Sequence, residues 1–137
     1  MIFYHFTCPW RFWGDDWGLL PDVPARDLLP SNTQYDDPNL PTRLREPVVW
    51  LTTSMETKPA GRDDTALLCL TVKILAADTG LRDYKKWMGD FNTVLPPDLR
   101  KKASKHWWVY RGIVPARCIT NAQLAVGVRP WWEEPNV

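Results

Sequence analysis

The sequence predicts an α+β fold: a small single domain, residues 1–137, with a mostly antiparallel β-sheet core and a few short helices. Three features of the chain lead there. Runs rich in β-branched and aromatic residues stand at its start, middle and end, and short stretches with helical spacing lie between them. A length of 137 residues suffices for one hydrophobic core but not comfortably for two.

Ile2 to Thr7 read as a first strand. Pro9 suits the first turn of a short helix whose apolar side carries Trp10, Phe12, Trp13 and Trp17, with Gly14 limiting its length. "WGLLPD" closes that element in a turn. Residues 21–47, rich in Pro, Asp and Asn, read as a long surface loop or two short turns, and so long a loop in a small domain is usually functional or mobile. "VVWLTT" at 48–53 reads as a second strand with a polar exit, and "ETKPAGRDD" as a turn-rich connection. The clearest strand is "TALLCLTVKIL" at 65–75, with β-branched Thr71, Val72 and Ile74.

"DTGLRDYKKWMGDF" gives a turn and a short helix in which Leu81, Tyr84 and Met88 recur at helical spacing. "PPDLRKKASKH" supports a further helix starting at the proline pair. "WWVYRGIVPARCI" gives a strand, a turn at Gly112 to Pro115 and a return, and "AQLAVGV" a last short strand. Residues 129–137, "RPWWEEPNV", read as a C-terminal tail, either packed on the sheet or offered for docking.

Seventeen Lys and Arg against sixteen Asp and Glu leave a formal charge of +1, so no global field draws the chain to nucleic acid or to a membrane. Cys8, Cys69 and Cys118 are too few and too scattered for a disulfide framework, and a reducing cytosol fits them best. The N-terminus lacks the pattern of a signal peptide, and no apolar run reaches the roughly 18 residues of a membrane span, so a cytoplasmic protein with no membrane partner is expected. Nine tryptophans are many for this length. Core packing accounts for most, but neighbours in a strand point to opposite faces, so one member of Trp107-Trp108 and one of Trp131-Trp132 should face outward or into a cleft.

The P-loop, GxGxxG, HExxH and GxSxG motifs are all absent, which removes the conventional routes to phosphate, dinucleotide, zinc and hydrolase chemistry. His5 and Cys8 with His106 or Cys118 supply no closely spaced ligand pairs, so no metal is expected. A lone cysteine beside either histidine is more often a buried small hydrophobe than a nucleophile. The stretch 100–111, "RKKASKHWWVYR", combines five cations with three aromatics, a composition that can track a phosphate backbone and stack bases. Nucleic acid is one partner it would admit; a solvated helix face followed by a core strand is the plainer reading. His5 itself, in an apolar strand, is a core residue, a metal ligand or one wall of a ligand cleft.

Three segments taken together resemble a known family. "FYHFT", the following "GLLP" and "VVWLTT" are similar to the opening of ADP-ribosyltransferase-like domains, and "HWWVYRGIVPARCI" to the strand and return that close them. The tRNA 2′-phosphotransferase relatives of that fold share the ordering with histidine. Small bacterial and phage proteins with "YHFT...WLT...W.V...P" spacing look similar too.

The resemblance implies a split sheet. It also implies that His5 is the first-strand histidine that hydrogen-bonds the ribose of NAD, or of an ADP-ribosylated intermediate, at the base of the cleft between two half-sheets. A neutral imidazole, with one donor and one acceptor, suits a ribose diol. Thr52 and Thr53 fall where the family places small polar residues beside the nicotinamide, and Trp50 becomes a possible cleft wall. The chain departs from the pattern where the family has a glutamate that stabilises the oxocarbenium-like transition state, because that position aligns with about Trp107. The phosphotransferase relatives dispense with this glutamate but need basic residues for phosphate, for which Arg62, Arg111 and Arg117 are the candidates.

Two functions follow as expectations. In the first, the domain binds NAD, ADP-ribose or a related nucleotide in a cleft lined by His5, Thr52, Thr53, Trp107 and an arginine, Arg62 or Arg111. His5 is then the residue closest to any ADP-ribosyl transfer chemistry. In the second, a non-enzymatic phage or mobile-element protein uses exposed tryptophan and arginine to bind a host protein, as an inhibitor of a defence system would.

Overall fold

The computed structural model describes residues 1–7, 27–30, 38–55, 57–58, 68–89, 105–125 and 129–130. The strands are β1 (Ile2–Thr7), β2 (Val49–Thr52), β3 (Thr57–Lys58), β4 (Leu68–Lys73), β5 (Leu81–Asp83), β6 (Trp107–Tyr110), β7 (Ile119–Leu124) and β8 (Arg129–Pro130). Among the described residues, two short helices, α1 (Thr42–Arg45) and α2 (Tyr84–Met88), and a 3-10 turn at Ala116–Cys118 accompany them. Six strands form one antiparallel sheet in the order β5-β6-β2-β1-β4-β7, while β3 and β8 pair in parallel as a separate ribbon. An α+β domain is what the chain forms.

Alternation in the strands makes this sheet two-sided. In β4, Leu68, Leu70 and Val72 are fully buried while Thr71 is half-buried and Lys73 exposed. Those three leucine and valine side chains share a face with Phe3, Val49 and Leu51, and Leu28, Val114 and Ile119 complete the core on that side. A second core lies on the opposite face. There Trp107 and Val109 of β6 meet Leu44 of α1, Val48, and Tyr84, Trp87 and Met88 of α2. Since β2 and β6 are sandwiched between the two cores, their sequences carry apolar residues at nearly every position instead of alternating.

α2 is short but well determined. Tyr84, Trp87 and Met88 stand at i, i+3 and i+4 and are buried, while Lys85 and Lys86 are exposed. The Asp83 carboxylate caps the first turn by accepting from the Lys86 amide at 3.1 Å. Gly89 ends the helix at φ 56°, a left-handed value that any side chain would resist. Trp50 and Trp107 pack edge-on with ring centroids 5.5 Å apart, and Tyr84 stands against Trp107 at 5.0 Å. Such pairs add to the burial energy of the rings.

Two local devices hold the connections to the sheet. In the turn before β5, the Tyr110 hydroxyl donates to the Asp78 carboxylate at 3.0 Å, and Asp78 also accepts from the Gly80 amide at 2.9 Å. A Cβ at Gly80 would sit 2.8 Å from the Tyr110 ring and 3.0 Å from the Arg111 carbonyl, so only glycine fits. In the long segment before α1, Leu28 pairs with Val114 as an isolated antiparallel bridge, and the Asp27 carboxylate accepts from the Ala116 amide at 2.7 Å.

Several elements differ from expectation. Leu81 heads strand β5, opposite Tyr110, instead of taking part in a helix, and the helix begins only at Tyr84. The helical spacing of Leu81, Tyr84 and Met88 is real, but Leu81 reaches the first core from a strand and the other two reach the second core from a helix. The return after Pro115 and the expected last strand merge into β7. α1 and the Leu28 bridge lie inside the expected loop 21–47, and the β3–β8 ribbon joins the turn-rich connection to the start of the tail. The expected helix after Pro9, the rest of 96–106 before Lys105, and Trp131 and Trp132 lie outside the described residues. No helix among the described residues is long and apolar enough to cross a membrane.

Leu51 is completely buried beneath the first core, whereas Leu75 is 80% exposed. Leu51→Ala should therefore lower unfolding stability by about 2–5 kcal/mol and Leu75→Ala by no more than about 0.5 kcal/mol. Urea melts of the two variants check this through the midpoint at unchanged slope.

Candidate functional site

The seam between β1 and β2 differs from its neighbours. β1 and β4 align over six residue pairs, and β2 and β6 over four. β1 and β2 align at one pair, Tyr4 with Thr52. The sheet thus consists of two three-stranded halves, β5-β6-β2 and β1-β4-β7, joined through that single pair.

His5 lies at this seam. Its Nδ1 is 2.7 Å from the Trp50 carbonyl oxygen, which can only accept, so Nδ1 carries the proton and Nε2 is the acceptor. A side chain therefore makes the crossing where backbone alignment is reduced to one pair. Burial pushes the imidazole below the ordinary histidine range, and the bond to Trp50 works against that shift without cancelling it. The ring is neutral near pH 7. Nε2 has no hydrogen-bond partner among the described residues.

Register and alternation place the neighbours. The pairing of Tyr4 with Thr52 sets His5 alongside Leu51, and Leu51 is opposite Trp108. One step toward the exit of β2, Phe3 falls alongside Thr53, whose amide donates to the His106 carbonyl at 3.0 Å. The Thr53 hydroxyl and His106 Nδ1 share a hydrogen bond of 2.9 Å. The Trp108 ring packs on Phe3 with centroids 5.4 Å apart, which confirms that β1 and β6 present these residues to the same face. His5, Leu51, Thr53, His106 and Trp108 thus line one side of the seam. Trp108 and His106 are half-buried and Thr53 is exposed.

The other residues singled out from the sequence are dispersed. Thr52 is buried on the opposite face, and its hydroxyl accepts from the Ser54 amide at 3.1 Å, which fixes the strand exit. Trp107 is 5% exposed, locked among Trp50 and Tyr84 on that same opposite face. Trp50 points there too, so its backbone carbonyl, not its ring, reaches His5. Arg111 lies exposed beyond the other end of β6, 3.5 Å from Glu46. Arg117 belongs to the exposed 3-10 turn after Pro115, and Arg62 lies outside the described residues.

His106 and Trp108 are thus the residues that the sequence did not assign to a cleft with His5. The only signal for Trp108 was the Trp107-Trp108 pair, one member of which had to leave the buried face. Nothing in the sequence places His106 against Thr53, 53 residues earlier.

Burial also shifts Cys69 and Tyr110. Burial pushes the Cys69 thiol up to about 11, so it is protonated near neutral pH and a poor nucleophile. The Tyr110 hydroxyl is also pushed up, by burial first and then by its bond to the Asp78 carboxylate. Among the described residues, no group of three or more His, Cys, Asp or Glu is placed to hold a metal ion. Comparison with protein-family models, curated proteins and solved structures finds no match for this chain.

The lowered His5 value has a consequence for stability. Below about pH 6.5 the unfolded chain takes up a proton at His5 that the folded one refuses, so stability is full above that value and falls as the pH drops toward the folded pKa. His5→Gln should flatten the stability profile between about pH 7 and 5, measured by denaturant unfolding at each pH. An unchanged slope would show that His5 titrates alike in both states.

Proposed function

We propose that this domain binds a ribose-bearing nucleotide, NAD, ADP-ribose or a related molecule, on the His5 side of the β1–β2 seam, in the manner of ADP-ribosyltransferase-like domains. The observation that carries the reading is the state of His5. It sits on a central strand where two half-sheets meet, its Nδ1–H is held by the Trp50 carbonyl, and the neutral ring keeps Nε2 as an acceptor. A ribose hydroxyl is a donor that matches it. The half-buried ring of Trp108, across Leu51 on the same face, offers an apolar plane for a base or a nicotinamide.

Supporting features lie in the protein's own groups. The bond to Trp50 fixes the tautomer and orientation of His5, so little is lost in ordering it when a ligand arrives. Among the described residues, the carboxylate near Trp108 by register on this face is that of Asp83, and it caps α2 through the Lys86 amide. Binding is therefore the activity best supported. Transfer at the ribose C1 or at a 2′-phosphate, the chemistry implied by the resemblance, would rest on positioning and on donors, not on a carboxylate. The alternative of a host-protein partner draws on Trp131, Trp132 and the Pro-rich stretch, most of which lies outside the described residues.

Titration of NAD and ADP-ribose into the purified protein, followed by intrinsic tryptophan fluorescence, tests the proposal. Saturable quenching is expected with the unaltered protein and its loss with His5→Asn, the thermal melt showing both to be folded. Equal affinity in the variant removes His5 from the site. No response to either nucleotide makes His5 a structural histidine and overturns the reading.

A further inference from the structure

We infer that two copies of this chain associate through the outer edge of β7, antiparallel across a two-fold axis, so that their sheets run on as one; this is independent of the ribose reading. β7 ends the sheet order β5-β6-β2-β1-β4-β7 and, among the described residues, pairs only with β4. In an antiparallel ladder alternate residues turn both N–H and C=O away from the partner strand. An end strand therefore presents a row of backbone groups ready to receive another strand.

The two ends of the sheet are guarded differently. β5, at the far end, is three residues long, carries Arg82 and Asp83, and runs straight into α2. Its own Arg82 guanidinium donates to the Thr79 and Leu81 carbonyls, which leaves fewer acceptors for an incoming strand. Short length and charge are the ordinary means by which an edge avoids pairing. β7 has neither, since "ITNAQL" is six residues without a charge or a proline. The shift in its ladder with β4, between Thr71 and Val72, makes Thr120 the extra residue and leaves Asn121 to Leu124 in regular register.

The side chains of β7 identify the occupant. Ala122 and Leu124, opposite Leu70 and Leu68, lie on the face of the first core, and Asn121 and Gln123 lie on the other. Ala122 packs on that core, whereas Leu124, beside the fully buried Leu68, is 50% exposed. An apolar lip thus continues past the last strand. Opposite residues of an antiparallel pair share a face, so a second β7 with Gln123 facing its own copy brings Leu124 of each chain against Ala122 of the other. Both apolar contacts then fall on the core face, and the two Gln123 amides, each a donor and an acceptor, meet on the polar face. With no charge on β7, the strand meets its copy without like-charge repulsion. Such a two-fold contact closes on itself, which makes a dimer and not a fibre.

Sedimentation of the purified protein between about 1 µM and about 1 mM tests this, because association by mass action rises with concentration. A monomer–dimer equilibrium is expected. Leu124→Lys should raise its dissociation constant about tenfold or more, since each dimer holds that contact twice. Gln123→Lys and Gln123→Glu should each weaken it, and an equimolar mixture of the two should associate more tightly than either alone, as opposite charges then face each other. Thermal melts at the lowest concentration should show all three variants folded, since both positions are exposed in the monomer. A monomer at every concentration overturns the proposal and leaves the edge to a strand of another protein. A dimer that Leu124→Lys leaves unchanged overturns it too, by placing the contact elsewhere. A mixture of the charged variants no tighter than its components overturns the pairing at Gln123 and with it the proposal.

Discussion

At the seam between β1 and β2, the six-stranded sheet is continuous through one aligned pair, Tyr4 with Thr52, and through the hydrogen bond that the His5 imidazole donates to the Trp50 carbonyl. Each half of the sheet is zipped by longer ladders of its own, so cohesion on either side does not depend on the seam. What depends on it is how the halves meet. A side chain that bonds a backbone carbonyl across the junction holds them in one relation and is itself held in one tautomer. The same bond that joins the halves therefore sets the tautomer of the other ring nitrogen.

The two cores make that arrangement rigid from both sides. Phe3, Leu51 and their neighbours fill the face that His5 shares, and the aromatic cluster of Trp50, Tyr84, Trp87 and Trp107 fills the other. Trp50 belongs to both stories, since packing of its ring fixes the backbone whose carbonyl receives His5. Packing of this kind holds the few polar groups at the seam in one geometry. The polar residues cluster where the strands end. Thr52 closes the exit of β2 onto Ser54, and Thr53 turns to His106 just before β6.

The electrostatic character of the face follows from which groups are already engaged. Asp83 is drawn to the α2 amides, Asp78 to Tyr110 and Gly80, and Asp27 to Ala116. Each of these carboxylates stabilises a turn or a cap. Among the described residues, the His5 face carries two imidazoles, a threonine hydroxyl and a tryptophan ring beside the apolar core.

The sequence by itself determined the kind of fold and its strongest strands. The runs at 2–7, 48–53, 65–75 and the segment after 107 are dense in β-branched and aromatic residues, and period-two burial needs little more than that local pattern. It also singled out His5, because a titratable ring in an apolar strand is conspicuous, and it implied that Trp107 and Trp108 would part company. Tertiary structure decided the rest. Leu81 became a strand residue because Tyr110 of β6 was there to pair with it, with the Arg111 amide bonding the Gly80 carbonyl just before it, a long-range reward that outweighs local helical spacing. Trp107 turned to the buried face and Arg111 to Glu46, while His106 came to Thr53, because register between β2 and β6 is set by the packing of both cores at once. Which side chains share a face is written in each strand; which strands lie side by side is a property of the whole chain, and only that adjacency assembles the site.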